Sequence, residues 1–176
     1  MNSPQHSGND TRGMGKAMYF IGVIVALALM SWIFADVEES ISNPNQHLET
    51  QFSTDGAREI VLQRNRYGHY VLDGKINDQT VTFLLDTGAS DVSIPADLAR
   101  RLGLKRGRSQ QYQTANGVIT GYLTKIDSLK LGEIELRNVR ASINPQEHGD
   151  RLLLGMSVLK NVDFSQRGNT LTLRQN

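Results

Sequence analysis

Apolar positions along this chain follow two regimes. From Ala17 to Ala35 the run AMYFIGVIVALALMSWIFA carries no charge over 19 residues. No polar face interrupts it, which predicts a helix apolar all round. Such a helix extends about 28 Å at about 1.5 Å per residue, against a hydrocarbon core about 30 Å thick. Tyr19 and Trp32 lie near its ends, where amphipathic rings prefer the interface. Cleavage as a signal peptide is disfavoured: Ile33 is too large two positions before Ala35, and the small-residue Ala26-Leu27-Ala28 lies inside the run. The stretch is therefore expected to be an uncleaved transmembrane anchor.

The second regime begins at Arg58 and consists of short apolar runs separated by turn residues. Glu59 to Gln63 has an apolar centre. Tyr67 to Ile76 alternates in part and returns through Asn77-Asp78 as Thr80 to Leu85. Gln110 to Ala115 and Val118 to Ile126 flank Asn116-Gly117, a strong hairpin signal. Leu129 to Leu131 and Ile134 to Leu136 flank Gly132-Glu133, Val139 to Ile143 adds a strand, and Val162 to Ser165 and Thr170 to Leu173 flank Arg167-Gly168-Asn169. Ile94 to Gly103 predicts one short helix, with Pro95 at its first position, Asp97 in the positive first turn, Arg100 and Arg101 at the negative end, and Gly103 as the stop. Leu152 to Met156 is an apolar run leading into a second short helix through Leu159. Many short strands with one or two short helices point to a mostly β barrel or sandwich.

The remaining segments are polar. Residues 1–16 read as a disordered tail, and residues 36–57, rich in Ser, Asn, Gln and Glu with Pro44, as a linker or stalk, the alternative being a loosely packed extension of the domain. Arg12 and Lys16 precede the anchor; Asp36, Glu38 and Glu39 follow it. Positive residues stay cytoplasmic, so the N-terminus is expected inside and the domain at 58–176 outside, in the periplasm if the membrane is a bacterial inner membrane.

Composition narrows the chemistry. A net charge of +1 argues against nucleic acid as a partner. Cysteine is absent, which excludes disulfides, a thiol nucleophile and thiolate metal sites. His6, His47, His69 and His148 are scattered without ligand spacing, so neither metal nor cofactor is expected. There is no Gly-x-Ser-x-Gly and no phosphate loop.

The chemical centre is Leu84-Leu85-Asp86-Thr87-Gly88-Ala89-Ser90. The apolar run Val81 to Leu85 reads as a buried strand, and Gly88 breaks it. Asp86 thus sits where a strand becomes a tight turn, and a carboxylate there is costly to desolvate unless it is used or paired. Apolar–apolar-Asp-Thr-Gly-Ala-Ser resembles the active-site motif of retropepsin-like aspartic proteases. Asn116-Gly117 falls where those proteases carry a flap, and Leu153-Leu154-Gly155-Met156 resembles the element that crosses behind their catalytic loop. The likeness runs from about Tyr67 to Leu173 and is strongest for the bacterial, membrane-anchored subgroup with a single Asp-Thr-Gly-Ala.

The resemblance implies a single-lobe acid-protease barrel and a homodimeric aspartic endopeptidase acting on protein or peptide. Asp86 would supply the catalytic carboxylate, Thr87 a hydrogen bond across the dimer, and Gly88 a close approach and a backbone bond to the carboxylate. Ala115, Asn116 and Gly117 would form the flap over substrate, with Gly121 a candidate hinge. A single Asp-Thr-Gly per chain implies a site on a two-fold axis. The strands expected to hold that dimer are Thr170 to Leu173, as an unpaired edge, and Glu59 to Gln63. The rival reading is a catalytically silent peptide- or protein-binding module on the same fold.

Overall fold

The computed structural model describes residues 11–114 and 117–176. The chain divides after Glu39 into two units. The first is the greater part of helix α1, Thr11–Ser42. Its large apolar side chains between Met18 and Phe34 are exposed on every face, and Gly15–Ser42 is long and apolar enough to cross a membrane. Residues Thr11 to Lys16, expected in the tail, continue this helix; the rest of the expected tail lies outside the described residues.

The second unit is mostly β. In chain order it contains β1 (Thr50–Phe52), β2 (Arg58–Gln63), β3 (Val71–Ile76), β4 (Gln79–Leu85), β5 (Val92–Pro95), helix α2 (Ala96–Arg101), β6 (Ser109–Thr114), β7 (Gly117–Leu131), β8 (Ile134–Asn144), β9 (Arg151–Leu154), helix α3 (Met156–Leu159), β10 (Asp163–Arg167) and β11 (Thr170–Gln175). Local chemistry sets several of these joints. Asn77 and Asp78 both adopt positive φ, 47° and 66°, the conformation that a two-residue hairpin needs to match strand twist. Pro95 sits at the N-cap of α2 rather than inside it, and Gly103 ends the turn at φ 68°.

Seven strands form one sheet in the order β3-β4-β9-β5-β8-β7-β6, and pairing of β3 with β7 closes it into a barrel. The runs at 118–126 and 129–131 are a single strand, β7, paired with an equally continuous β8. The ladder between them omits Asp127 and Asn138, the latter with φ 57°. Ile126 and Leu129, three residues apart, are both fully buried across that irregularity. With Phe83, Ile94, Leu131, Ile143 and Leu152 they fill the barrel. Each such side chain contributes about 1.5–3 kcal/mol by leaving water.

A smaller sheet runs β1-β2-β11-β10. Here the structure corrects the expected dimer edge. Strand β11 is not an edge: it pairs with β2 on one side and β10 on the other. The alternation that suggested an open edge instead turns Leu171 and Leu173 into the core and Thr170 and Thr172 away from it. The two outer strands are β1 and β10.

The expected linker also differs. From Asn43 onward it is part of the folded unit. Asn45 is 4% exposed; its Nδ2 donates to the carbonyls of Gln63 (2.9 Å) and Val71 (2.6 Å), and its Oδ1 accepts from the Gln63 N–H at 2.7 Å. Asn43 Nδ2 donates to Asp73 Oδ1 at 2.8 Å. A polar composition reads as a loose segment, but the Asn45 amide satisfies backbone groups of β2 and β3, and that of Asn43 bonds the Asp73 carboxylate. Asn45→Ala would leave buried backbone groups unpaired, and each costs about 1–3 kcal/mol. The variant is expected to lose about 2–4 kcal/mol in urea unfolding; a loss below about 0.5 kcal/mol would contradict the clamp.

Candidate active site

Strand β4 delivers Asp86. Its last residues, Leu84 and Leu85, run parallel to Leu153 and Leu154 of β9. The ladder then stops, but the Asp86 N–H still donates to the Leu154 carbonyl at 3.1 Å. The chain turns sharply: the Gly88 N–H donates to Asp86 Oδ1 at 2.8 Å, and the Ala89 N–H to the Asp86 carbonyl at 3.2 Å. A Cβ at residue 88 would stand 3.2 Å from Asp86 Oδ1, so glycine leaves the carboxylate room. Asp86 is half-buried, while Thr87 and Gly88 are exposed.

A second backbone supports this turn from behind. The Met156 N–H donates to the Ala89 carbonyl at 2.8 Å, and the Ser157 N–H to the Ser90 carbonyl at 3.0 Å. Ser157 Oγ accepts from the Val92 N–H at 3.1 Å. Between them lies Gly155, where a Cβ would fall 2.2 Å from the Asp91 carbonyl oxygen and 2.5 Å from that of Ala89. Only glycine fits.

The turn also rests on a residue that the motif does not include. Asp91 is 3% exposed. Its Oδ1 accepts from Arg140 Nε of β8 at 2.7 Å, and its Oδ2 from the Tyr112 hydroxyl of β6 at 3.1 Å. Burial and the Asp91 carboxylate together push the Tyr112 phenol above its ordinary range, and the hydrogen bond to Asp91 raises Arg140. A buried carboxylate thus ties the loop to two other strands through charge-assisted bonds. These partners lie 21 and 49 residues away in sequence, so no local pattern reveals them.

The loop Gly88 to Asp91 separates two cavities. One, of about 380 Å³, is bounded by Asp86, Ser93, Leu153 and Ser142 and roofed by Tyr112 to Thr114 and Ile119. The other, of about 560 Å³, lies toward Arg137, Arg140, Met156 and Lys160. Strands β6 and β7 form the roof hairpin, with Thr114 opposite Gly117. Of the expected flap, Gly117 is placed at its turn with φ 110°; Ala115 and Asn116 lie outside the described residues. Gly121, the candidate hinge, is held in the ladder opposite Gln110, where a Cβ would press on the Tyr112 ring at 3.1 Å. Among the described residues no cluster of His, Asp or Glu could hold a metal ion.

Glu147 bonds to two residues that line the smaller cleft. Its Oε2 accepts from Ser93 Oγ at 3.1 Å and Asn144 Nδ2 at 3.4 Å. Burial raises its pKa above the ordinary value, and the two hydrogen bonds offset this in part. A raised folded-state pKa stabilises the protein below the unfolded value of 4.5, and that increment is lost as pH rises through the folded value. Glu147→Gln is neutral throughout, so its stability relative to wild type is expected to rise between about pH 4 and about pH 7. Urea midpoints at both pH values check this; a difference independent of pH would contradict it.

The gag-polyprotein putative aspartyl protease family model matches residues 72–161. An uncharacterized Sinorhizobium protein from the cobV 5′ region is 30% identical over 125 residues, which cover 69% of this chain and 54% of that protein. An uncharacterized protein of Rickettsia prowazekii is 30% identical over 105 residues, 58% of this chain and 45% of its own. The chain therefore spans about half the length of these curated relatives. Among solved structures, a retropepsin-like aspartic protease from Rickettsia conorii superposes with a TM-score of 0.58 at 30% identity, covering 73% of this chain and 96% of that one.

Proposed function

The chain belongs to the retropepsin-like aspartic protease family, and from that premise we propose that it is a membrane-anchored aspartic endopeptidase whose active unit is a homodimer. The observation that carries the reading is the Asp86 turn: a half-buried carboxylate at the wall of a cleft, held by the Gly88 N–H and braced from behind at Gly155. In the dimer, two Asp86 carboxylates face each other and share one proton, because like charges a few ångströms apart cannot both ionise. The ionised carboxylate takes a proton from water as the water oxygen attacks the scissile carbonyl carbon. The protonated one donates to the carbonyl oxygen, giving a gem-diol. As this collapses, the first carboxyl passes the proton it took from water to the leaving amine nitrogen and the second takes back a proton from a gem-diol hydroxyl, with no covalent enzyme intermediate.

Thr87, exposed beside Asp86, is assigned the bond between the two loops, and Gly88 the donor that orients the carboxylate. The hairpin at residues 115–117 is assigned the flap over a peptide substrate. Residues 17–35 are assigned the anchor, supported by the helix Gly15–Ser42. The charge asymmetry Arg12 and Lys16 against Asp36, Glu38 and Glu39 supports an N-terminus in the cytoplasm and a protease domain in the periplasm of a bacterial inner membrane.

Asp86→Asn is nearly isosteric and removes the group that activates water. In the detergent-solubilised chain it is expected to fold normally and lower kcat by at least about a hundredfold on any cleavable peptide; activity near wild type would refute the role of Asp86. Dimerisation has its own signature. Wild-type activity is expected to rise with the square of chain concentration while dimers are scarce and linearly once they dominate. Constant specific activity from a species that sediments as a monomer would refute the shared site.

A further inference from the structure

Strand β10 lies at the outside of the smaller sheet. All five of its residues are exposed, and Phe164 keeps 45% of its surface in water. The β10–β11 ladder starts at Arg167 opposite Thr170, across the two-residue turn Gly168-Asn169. The pair flanking such a turn is hydrogen-bonded, and bonding then alternates along the strand. The backbone groups of Asp163, Ser165 and Arg167 therefore face β11, and those of Phe164 and Gln166 face outward. Such a row is a template for another strand. The other outer strand, β1, is three residues long and uncharged, and its Thr50 hydroxyl already accepts from the Glu133 N–H.

The edge sequence Asp163-Phe164-Ser165-Gln166-Arg167 is complementary to itself when run antiparallel. A two-fold axis through Ser165 sets Phe164 opposite Gln166 of a second copy, so that the outward backbone groups of both strands meet. The same register sets Asp163 opposite Arg167 of the second copy at each end. These are non-hydrogen-bonded positions, where facing side chains approach most closely. Among the described residues neither Asp163 nor Arg167 makes an ion pair within its own chain. Arg174, which stands opposite Asp163 in β11, pairs with Asp55 and Glu59 instead. The two Phe164 rings meet diagonally across the axis on one face of the joined sheet.

We propose that β10 is the strand through which two copies of this chain associate, antiparallel and in register about Ser165, so that their smaller sheets become one. The proposal rests on the reading of the active unit as a homodimer, and it names the surface that assembles it. The chain itself couples that surface to the site. Residues 160–162 alone separate β10 from α3, whose Met156 and Ser157 N–H groups brace the loop after Asp86. An isologous joint repeats each contact about its axis, so one charge change acts at both ends.

Asp163→Arg and Arg167→Asp test it in the detergent-solubilised full chain. Each alone sets like charges opposite each other at both ends of the joint. Each is expected to raise the dimer Kd at least about tenfold in sedimentation equilibrium, with peptide hydrolysis at a fixed dilute concentration falling in step. An equal mixture of the two variants sets opposite charges together again at both ends. Dimers and hydrolysis are then expected to return to within about threefold of wild type. Single variants that dimerise as wild type does, or a mixture that stays monomeric, would overturn the β10 joint. If wild type nevertheless cleaves peptides as a dimer, the shared-site reading stands and a different surface assembles it. If sedimentation shows the charge-reversal pattern but wild type hydrolyses no peptide, the joint stands and the protease reading falls.

Discussion

Two backbones meet under Asp86 at a separation that admits no side chain. The carbonyl oxygens of Ala89 and Asp91 approach Gly155 so closely that a single methyl would collide with both. That contact allows the Asp86, Met156 and Ser157 amides to bond across the crossing. It also joins β4 and β9 in parallel while β9 meets β5 only at Ser93 opposite Leu153. The barrel therefore has a narrow seam, and the turn carrying the carboxylate sits on it. Under the proposed function, this holds the Asp86 carboxylate by the scaffold's own backbone, the preorganisation that electrostatic catalysis requires.

Charge is partitioned around that seam. Asp91 is inside the loop, and its partner Arg140 has a side chain 60% exposed on the other side. The larger cavity is lined by Arg137, Arg140 and Lys160 together with Asp91, and the charged residues lining the cleft beneath the hairpin are Asp86 and Asp91. Tyr112 links the two regions by binding Asp91 from the first strand of the hairpin. That bond ties the roof hairpin directly to the loop that follows Asp86.

The β-rich class, the hairpins and the Asp86 turn were legible because each depends on neighbours in sequence. Asn77-Asp78 must take positive φ, Gly88 must clear a carboxylate two residues back, and the strand before the turn buries Val81 and Phe83 with Leu84 and Leu85 half-buried. What escaped reading depends on distant partners. Asn43 and Asn45 look like linker residues until β2 and β3 bring the Asp73 carboxylate to the first and backbone groups to the second. The Thr–Leu alternation of β11 specifies a two-faced strand but not whether its edges are free. Asp91 stands one residue past the motif, and only the fold brings Arg140 and Tyr112 to it. The joining of the short runs at 118–126 and 129–131 turned on Asp127, a polar position that reads as a break.

The central claim is that one chain holds half a catalytic site. Subunit mixing tests it most directly. Wild-type and Asp86→Asn chains are exchanged at fixed total concentration, where dimers dominate, and peptide hydrolysis is measured against the wild-type fraction. If both carboxylates are needed, activity follows the square of that fraction, so a half-and-half mixture retains about a quarter of the wild-type rate. A linear decline, with half the activity at half the wild-type fraction, would show that each chain works alone and would contradict the shared site.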